Sequence, residues 1–243
     1  MKEMICVSIT EPTVDEAITA AESVDADVVE IRLDCLKSFV GIGKLGRIGK
    51  PVMATCMPKW EGGLFTGKED ERAAILIEAM KFSEYVSLEL RTEKDVRSRI
   101  INESNKNKKN GLKVIVAYHD YKKTPEKDEI VKILKEEKDV GADIAKIAFF
   151  AKDHRDVLRT MEALLENRTG IPVIAISMGE AGKVSRILGP LFGSYMTFAS
   201  PRKGKESAPG QLTAEELREV MRILKGDEDT KPRHSKERAL RRA

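Results

Sequence analysis

Short runs of β-branched and apolar residues alternate with amphipathic helical stretches from one end of the sequence to the other. This alternation constrains the fold more than any single motif. Strands are expected at Ile5–Thr10, Val28–Asp34, Pro51–Cys56, Tyr85–Leu90, Lys113–His119, Ile144–Phe150, Pro172–Ser177 and Tyr195–Ser200. Helical patterns lie between them at Glu69–Phe82, Lys94–Asn107, Glu126–Val140, Arg155–Glu166, Ala181–Phe192 and Ala214–Lys225. The last begins at Thr213 as N-cap, with Glu216 three residues on to complete a capping box. Only the connection around Ser38–Ile48 is short and weakly helical. Eight strands in 243 residues give about 30 residues per unit, the length of a βα repeat. Apolar strands in βα units argue for a parallel sheet. No linker rich in Gly, Ser or Pro divides the chain, so a single α/β domain, a (βα)8 TIM barrel over residues 1–226, is expected. An open doubly wound sheet is the weaker alternative, because no Gly-x-Gly-x-x-Gly or Walker sequence opens a helix.

Composition excludes several classes of function. No apolar run approaches the ~20 residues of a membrane span, and MKEMICVSIT lacks an apolar signal region, so a cytoplasmic protein is expected. The three cysteines, Cys6, Cys35 and Cys56, are an odd number in or beside apolar runs, which fits buried thiols in a reducing compartment. The net charge is +3, but residues 231–243 hold six Lys/Arg against one acid. The remaining 37 basic and 39 acidic residues leave the body slightly negative, which argues against a nucleic-acid-binding surface there. Residues 227–243 read as a basic extension.

Strand parity locates the chemistry. In the second strand Val29, Ile31 and Leu33 share one face while Glu30, Arg32 and Asp34 share the other. The apolar face must meet the helices, so the charged face points into the barrel, where an unpaired charge costs several kcal/mol. The fourth strand repeats this, with Leu88 and Leu90 outward and Ser87 and Glu89 inward. The fifth ends on His119, at the end of the barrel where such enzymes hold their catalytic groups. Lys146 stands in the middle of Ile144–Phe150. Burial there disfavours the ammonium and makes an amine nucleophile available for Schiff-base chemistry; the bland alternative is a lysine paired with Glu30 or Glu89. A carboxylate, an imidazole and an amine at Glu89, His119 and Lys146 suit proton transfer beside an imine. His154 and His234 read as surface residues. No Cys-x-x-Cys or His-x-x-x-His spacing supports a metal, and no Gly-x-Ser-x-Gly supports a serine hydrolase.

A second constellation lies in the last third. Met178 is expected to line the pocket, Arg186 suits bidentate capture of a carboxylate, and Pro201–Gln211, rich in Gly, Pro and hydrogen-bonding side chains, has the make-up of a lid.

These residues fall in motifs that resemble the type I 3-dehydroquinate dehydratase family: Val29–Asp34, Trp60-Glu-Gly-Gly63, Ala117-Tyr-His-Asp120, Asp143–Ile147, Ser177–Arg186 and Ser207-Ala-Pro-Gly-Gln211. Six motifs in order, from Ile5 to about Leu224, make the resemblance specific. It implies a Schiff-base lyase of the shikimate pathway that removes water from 3-dehydroquinate without a cofactor, and a homodimer. It places the imine on Lys146, the general acid/base on His119 and its orienting carboxylate on Glu89. Glu30 and Arg32 are implied to meet substrate hydroxyls, Arg186 the substrate carboxylate, Ser207 and Gln211 the closing lid, and Ser8 the substrate from the first strand. The pattern departs at Met57, where the family often has an arginine; either Lys59 restores the charge or the loop binds differently. A class I aldolase would use the same barrel and lysine, but the positions after strands seven and eight suit a carboxylate better than a phosphate. A non-catalytic barrel acting as a binding module is the other reading, and the inward Lys146, His119 and Glu89 count against it.

Overall fold

The computed structural model describes residues 3–108 and 111–225. Eight parallel strands, β1 (Ile5–Ile9), β2 (Val28–Arg32), β3 (Val52–Thr55), β4 (Tyr85–Glu89), β5 (Lys113–Asp120), β6 (Ile144–Phe150), β7 (Val173–Met178) and β8 (Thr197–Ala199), form one sheet. Among the described residues seven α-helices alternate with them: α1 (Val14–Ser23), α2 (Glu69–Ala79), α3 (Lys94–Asn107), α4 (Lys127–Asp139), α5 (His154–Leu165), α6 (Ser185–Leu191) and α7 (Ala214–Lys225). Between β2 and β3 the described residues form no α-helix, only 3-10 turns at Leu33–Cys35 and Ile42–Arg47, as the weak helical signal there suggested. The strands pair in chain order from β1 to β7, and β8 pairs with β1. The β7–β8 seam is closed without a ladder: the Tyr195 N–H donates to the Val173 carbonyl at 2.8 Å, and the Ala175 N–H to Ser194 Oγ at 3.1 Å. The barrel expected from the repeat is therefore present and nearly closed.

Three expected boundaries shift for local reasons. β2 stops at Arg32 because Leu33–Cys35 turns into a 3-10 helix, which swings the Asp34 carboxylate back onto Arg32. β8 is shorter than expected because Ser194 and Tyr195 serve the seam. The helix expected over Ala181–Phe192 begins as a 3-10 turn, Ala181–Val184, before α6; a Cβ on Gly182 would lie 2.4 Å from the Ser177 carbonyl oxygen, so only glycine permits this approach. The capping box of α7 forms as expected, with the Glu216 N–H on Thr213 Oγ1 at 3.1 Å and the Thr213 N–H on Glu216 Oε2 at 2.9 Å. Residues 227–243, expected as a basic extension, lie outside the described residues. Among the described residues no helix is long and apolar enough to cross a membrane.

Parity divides the core into two shells. Val7, Val29, Ile31, Val86, Leu88, Val116 and Ile147 face the helices, where each large aliphatic side chain is worth about 1.5–3 kcal/mol of burial. Cys6, Val28, Met53, Ile115, Ile144, Ile174 and Phe198 fill the lumen. The N-terminal half of the lumen is thus plugged by apolar side chains, which leaves the polar inward residues at the C-terminal end.

One polar group is misplaced in the outer shell. Glu137, on the buried face of α4, is fully buried and neither carboxyl oxygen has a hydrogen-bond partner in good geometry, the Lys146 backbone N–H being the donor that faces it. Burial pushes this carboxyl well above its usual range. A raised carboxyl stabilises the fold fully below its unfolded value of about 4.3 and loses that contribution as pH rises through the folded value. Glu137→Met should therefore raise the unfolding free energy by about 1–3 kcal/mol at alkaline pH and by progressively less toward pH 4. Thermal denaturation across pH checks this; parallel curves for the two proteins would contradict it.

Candidate active site

A groove of about 1200 Å³ between α1 and α7 lies outside the barrel, and several of the charges that line it, Glu11, Asp25, Arg218, Glu219 and Arg222, are already in ion pairs. The convergent chemistry is in the smaller cavity at the C-terminal mouth of the lumen. It is lined by Ser8, Glu30, Arg32, Thr55, Met57, Ser87, His119, Tyr121, Lys146, Met178, Arg186, Phe198, Ser207 and Gln211, among others. All the expected site residues but Glu89 reach it.

Lys146 enters from the centre of β6, opposite Ala117 of β5 and Ile174 of β7. Its amine forms no ion pair or hydrogen bond among the described residues; Nζ instead sits 3.9 Å from the centroid of the Phe198 ring. The bland alternative of a paired structural lysine is not what the barrel contains. Burial lowers the amine from its usual value and the Arg32 charge acts in the same direction, outweighing Glu30, Cys6 and Glu89. Glu30 accepts from Ser8 Oγ at 2.6 Å and from Thr55 Oγ1 at 2.8 Å. Burial would raise this carboxyl, but Lys146, Arg32 and the two hydroxyls hold it below the ordinary range. Arg32 is clamped by Asp34, Nε to Oδ1 at 2.9 Å and Nη2 to Oδ2 at 2.6 Å. Asp34 in turn accepts the Met57 N–H at 3.2 Å and the Leu64 N–H at 3.0 Å, so it ties the β3–α2 loop to the site.

That loop corrects one assignment. The carboxylate expected to orient His119 was Glu89, yet Glu89 accepts from Arg72 Nη1 at 2.5 Å. Arg72, fully buried on α2, is also held by Glu69 and Thr92. Burial first, and then the charge of Glu61, push Glu89 up to about 7 against the pull of Arg72. The carboxylate on His119 is Glu61: Oε1 accepts the His119 backbone N–H at 2.8 Å and lies 3.3 Å from Nδ1. An ionised carboxylate only accepts, so this contact assigns the proton to Nδ1 and leaves Nε2 as the free base. Burial lowers the imidazole from its ordinary value, with Lys146 adding to the effect and Glu61 opposing it. Strand parity misses Glu61 because it sits in a loop. The signal that finds it is the Gly-Gly that follows. Gly62 has φ +93°, and a Cβ on Gly63 would lie 2.1 Å from the Met57 carbonyl oxygen, so this pair alone lets the loop fold back over the barrel mouth. Tyr121, also missed, stacks on His119 with ring centroids 6.3 Å apart and packs against Gly62. Lys59 is exposed and lines an outer cleft with Pro58 and Trp60. It restores no charge in the cavity, where Met57 stands. His154 is exposed at the start of α5.

The β8–α7 loop, expected as a lid, is held against the barrel by Arg186. Its Nε donates to the Gly210 carbonyl at 2.8 Å, Nη2 to the Pro209 carbonyl at 3.2 Å and Nη1 to the Phe198 carbonyl at 3.2 Å. Two of its five N–H groups are left, and among the described residues no carboxylate pairs with it. Burial lowers it to about 10. A fully buried guanidinium without a counter-charge in a cavity is a seat for an anion. Ser207 and Gln211 hold each other, the Ser207 N–H to Gln211 Oε1 at 2.7 Å and Gln211 Nε2 to Ser207 Oγ at 3.0 Å. Gly179 N–H donates to the Pro209 carbonyl at 3.1 Å, docking the lid on the β7 loop.

The profile described as type I 3-dehydroquinase matches residues 5–228. Among relatives, a 3-dehydroquinate dehydratase of Methanococcus maripaludis is 39% identical over 227 residues, covering 91% of this chain and all of that one. One from Methanocaldococcus jannaschii is 39% identical over 226 residues, covering 91% and 99%. Among solved structures, a 3-dehydroquinate dehydratase of Geobacillus kaustophilus superposes with a TM-score of 0.84 at 26% identity, covering 93% of this chain and 92% of that one. The type I enzyme of Clostridium difficile, solved with covalently modified comenic acid, gives 0.81 at 29% identity, covering 92% of each chain.

The pairing at His119 has a direct check. Because Glu61 raises the imidazole, Glu61→Gln should lower the His119 midpoint and change its ring 15N tautomer pattern by NMR, while Glu89→Gln should leave both near the parent. The opposite pattern would restore Glu89 to the role.

Proposed function

The chain belongs to the type I 3-dehydroquinase family, and on that premise we propose that Lys146 and His119 carry out its dehydration of 3-dehydroquinate to 3-dehydroshikimate. The family is a hydro-lyase of the shikimate pathway that works through a Schiff-base lysine and no cofactor. Membership displaces the aldolase and the non-catalytic readings. The observation that carries the residue assignment is the pair of buried basic groups, Lys146 and Arg186, in one cavity with no ion-pair partner among the described residues.

The lowered amine of Lys146 adds to the substrate ketone, and water leaves to give a protonated imine, a stronger electron sink than the ketone. His119 Nε2 takes the proton from the adjacent carbon, and that C–H pair moves toward the imine nitrogen as an enamine. The enamine pair then expels the β-hydroxyl, which departs as water with the proton that His119 holds. Hydrolysis of the conjugated imine frees product and lysine. Arg186 holds the carboxylate with its two remaining N–H groups, Glu30 and Arg32 meet hydroxyls, and Ser8, Ser207 and Gln211 complete the binding set. Glu61 keeps the imidazole in the tautomer this requires.

A homodimer is also proposed: Leu158 on α5 and Leu191 and Phe192 at the end of α6, which packs beside α5, are exposed apolar side chains. Free thiols at Cys6, Cys35 and Cys56 support a cytoplasmic location. Borohydride reduction with 3-dehydroquinate, read by intact-mass spectrometry, should add a ligand-sized mass at Lys146. Lys146→Ala should lose both adduct and turnover; His119→Ala should lose most turnover and keep the adduct. Normal turnover by Lys146→Ala would defeat the assignment. Arg186→Ala should raise KM roughly 10- to 100-fold, the scale of a hydrogen bond to a charged group at about 1.5–3 kcal/mol. A kcat loss at unchanged KM would contradict its role. For the dimer, light scattering should give twice the 27.1 kDa chain mass and Phe192→Glu should return the monomer; a monomeric parent would exclude it.

A further inference from the structure

Arg91, in the turn between β4 and α3, does not line the cavity, but it is linked through Glu61 to His119, which does. Nε and Nη2 both donate to Glu61 Oε2, at 2.9 and 2.5 Å, and Nη2 also reaches the His119 carbonyl at 3.1 Å. The plane is steadied by aromatic faces, 4.8 Å from the Tyr118 centroid and 5.9 Å from that of Trp60. The Glu61 side chain is completely buried, while the Arg91 side chain is 45% exposed. Arg72, the other nearby guanidinium, is taken by Glu89 and Glu69. Arg91 is therefore the one cation paired with Glu61 among the described residues, and it occupies one carboxylate oxygen so that the other is left for His119.

We propose that Arg91 is a positioning residue for the dehydration: it fixes Glu61, which in turn holds the His119 ring with Nε2 toward Lys146. Arginine suits this because its planar fork reaches Glu61 through two N–H groups and the His119 carbonyl through a third, which locks two loops and the end of β5 into one geometry. A lysine would supply the charge without the fork. The inference rests on His119 being the acid–base of the reaction proposed above, and the Lys146 adduct tests that reading separately.

The experiment is steady-state kinetics of Arg91→Ala and Arg91→Lys in the full chain. Arg91→Ala should lower kcat by about 10- to 100-fold, a share of the 10²–10⁴ a positioned acid–base group contributes. KM should stay within about threefold, because Arg91 touches no substrate, and the borohydride adduct on Lys146 should form as in the parent. Arg91→Lys should recover part of kcat. Because the guanidinium site opens to solvent, millimolar guanidinium should restore part of the lost kcat in Arg91→Ala, and equimolar tetramethylammonium should not. In a His119→Ala background the Arg91 substitution should cost nothing more. A kcat within twofold of the parent would overturn the proposal, as would an equal loss in the His119→Ala background or a KM that rises as much as kcat falls. Loss of the adduct in the parent itself would instead count against the Lys146 reading.

Discussion

Placing charged side chains inside a closed barrel is costly, and the arrangement of this active site follows from how each is compensated. Glu30 is offset by two hydroxyls, Arg32 by a bidentate carboxylate, Glu89 by Arg72 and Glu61 by Arg91. Among the described residues Lys146 and Arg186 are left without a counter-charge in an ion pair. A barrel that neutralised these as well would be more stable and chemically inert. An amine and a guanidinium thus line one cavity with no ion-pair partner among the described residues.

The loops complete what the strands begin. β3–α2 folds over the mouth because Asp34 holds its backbone and Gly63 permits its approach to Met57, and this delivers Glu61 to His119. The β8–α7 lid lies down because Arg186 binds its carbonyls and Gly210 touches the Gly179 carbonyl, where a Cβ would be 2.2 Å away. Arg186 thus both holds the β8–α7 loop and lines the cavity.

The polar pairs fall into layers around the acid–base group. His119 faces the cavity, Glu61 lies behind it, and Arg91 lies behind Glu61 at the surface. A parallel stack runs from Glu89 to Arg72 and Glu69, away from the cavity. Two carboxylates within mutual influence, each with its own arginine, are held differently: Glu61 contacts His119 and Glu89 cross-braces β4 to α2. Their similar place near the end of β4 is the reason residue type alone does not distinguish them.

The sequence by itself determined the repeat, the barrel and the inward set of the strands. Side chains on a strand alternate with a period of two, and a parallel barrel permits no other assignment of faces. Glu30, Arg32, His119 and Lys146 were legible on that ground, Arg186, Ser207 and Gln211 through motifs whose spacing is shared, and Ser8 only through the resemblance on the first strand. What only the tertiary structure decided is which partner each charge takes. Glu61 and Arg91 lie on connections, where no period fixes direction, and are brought to His119 by a turn that depends on the Gly63 backbone meeting Met57. Lys59, close in sequence to the cavity, points away from it for the same reason. Local periodicity sets the face a residue occupies, while pairing between loops depends on contacts between distant segments that no local pattern encodes.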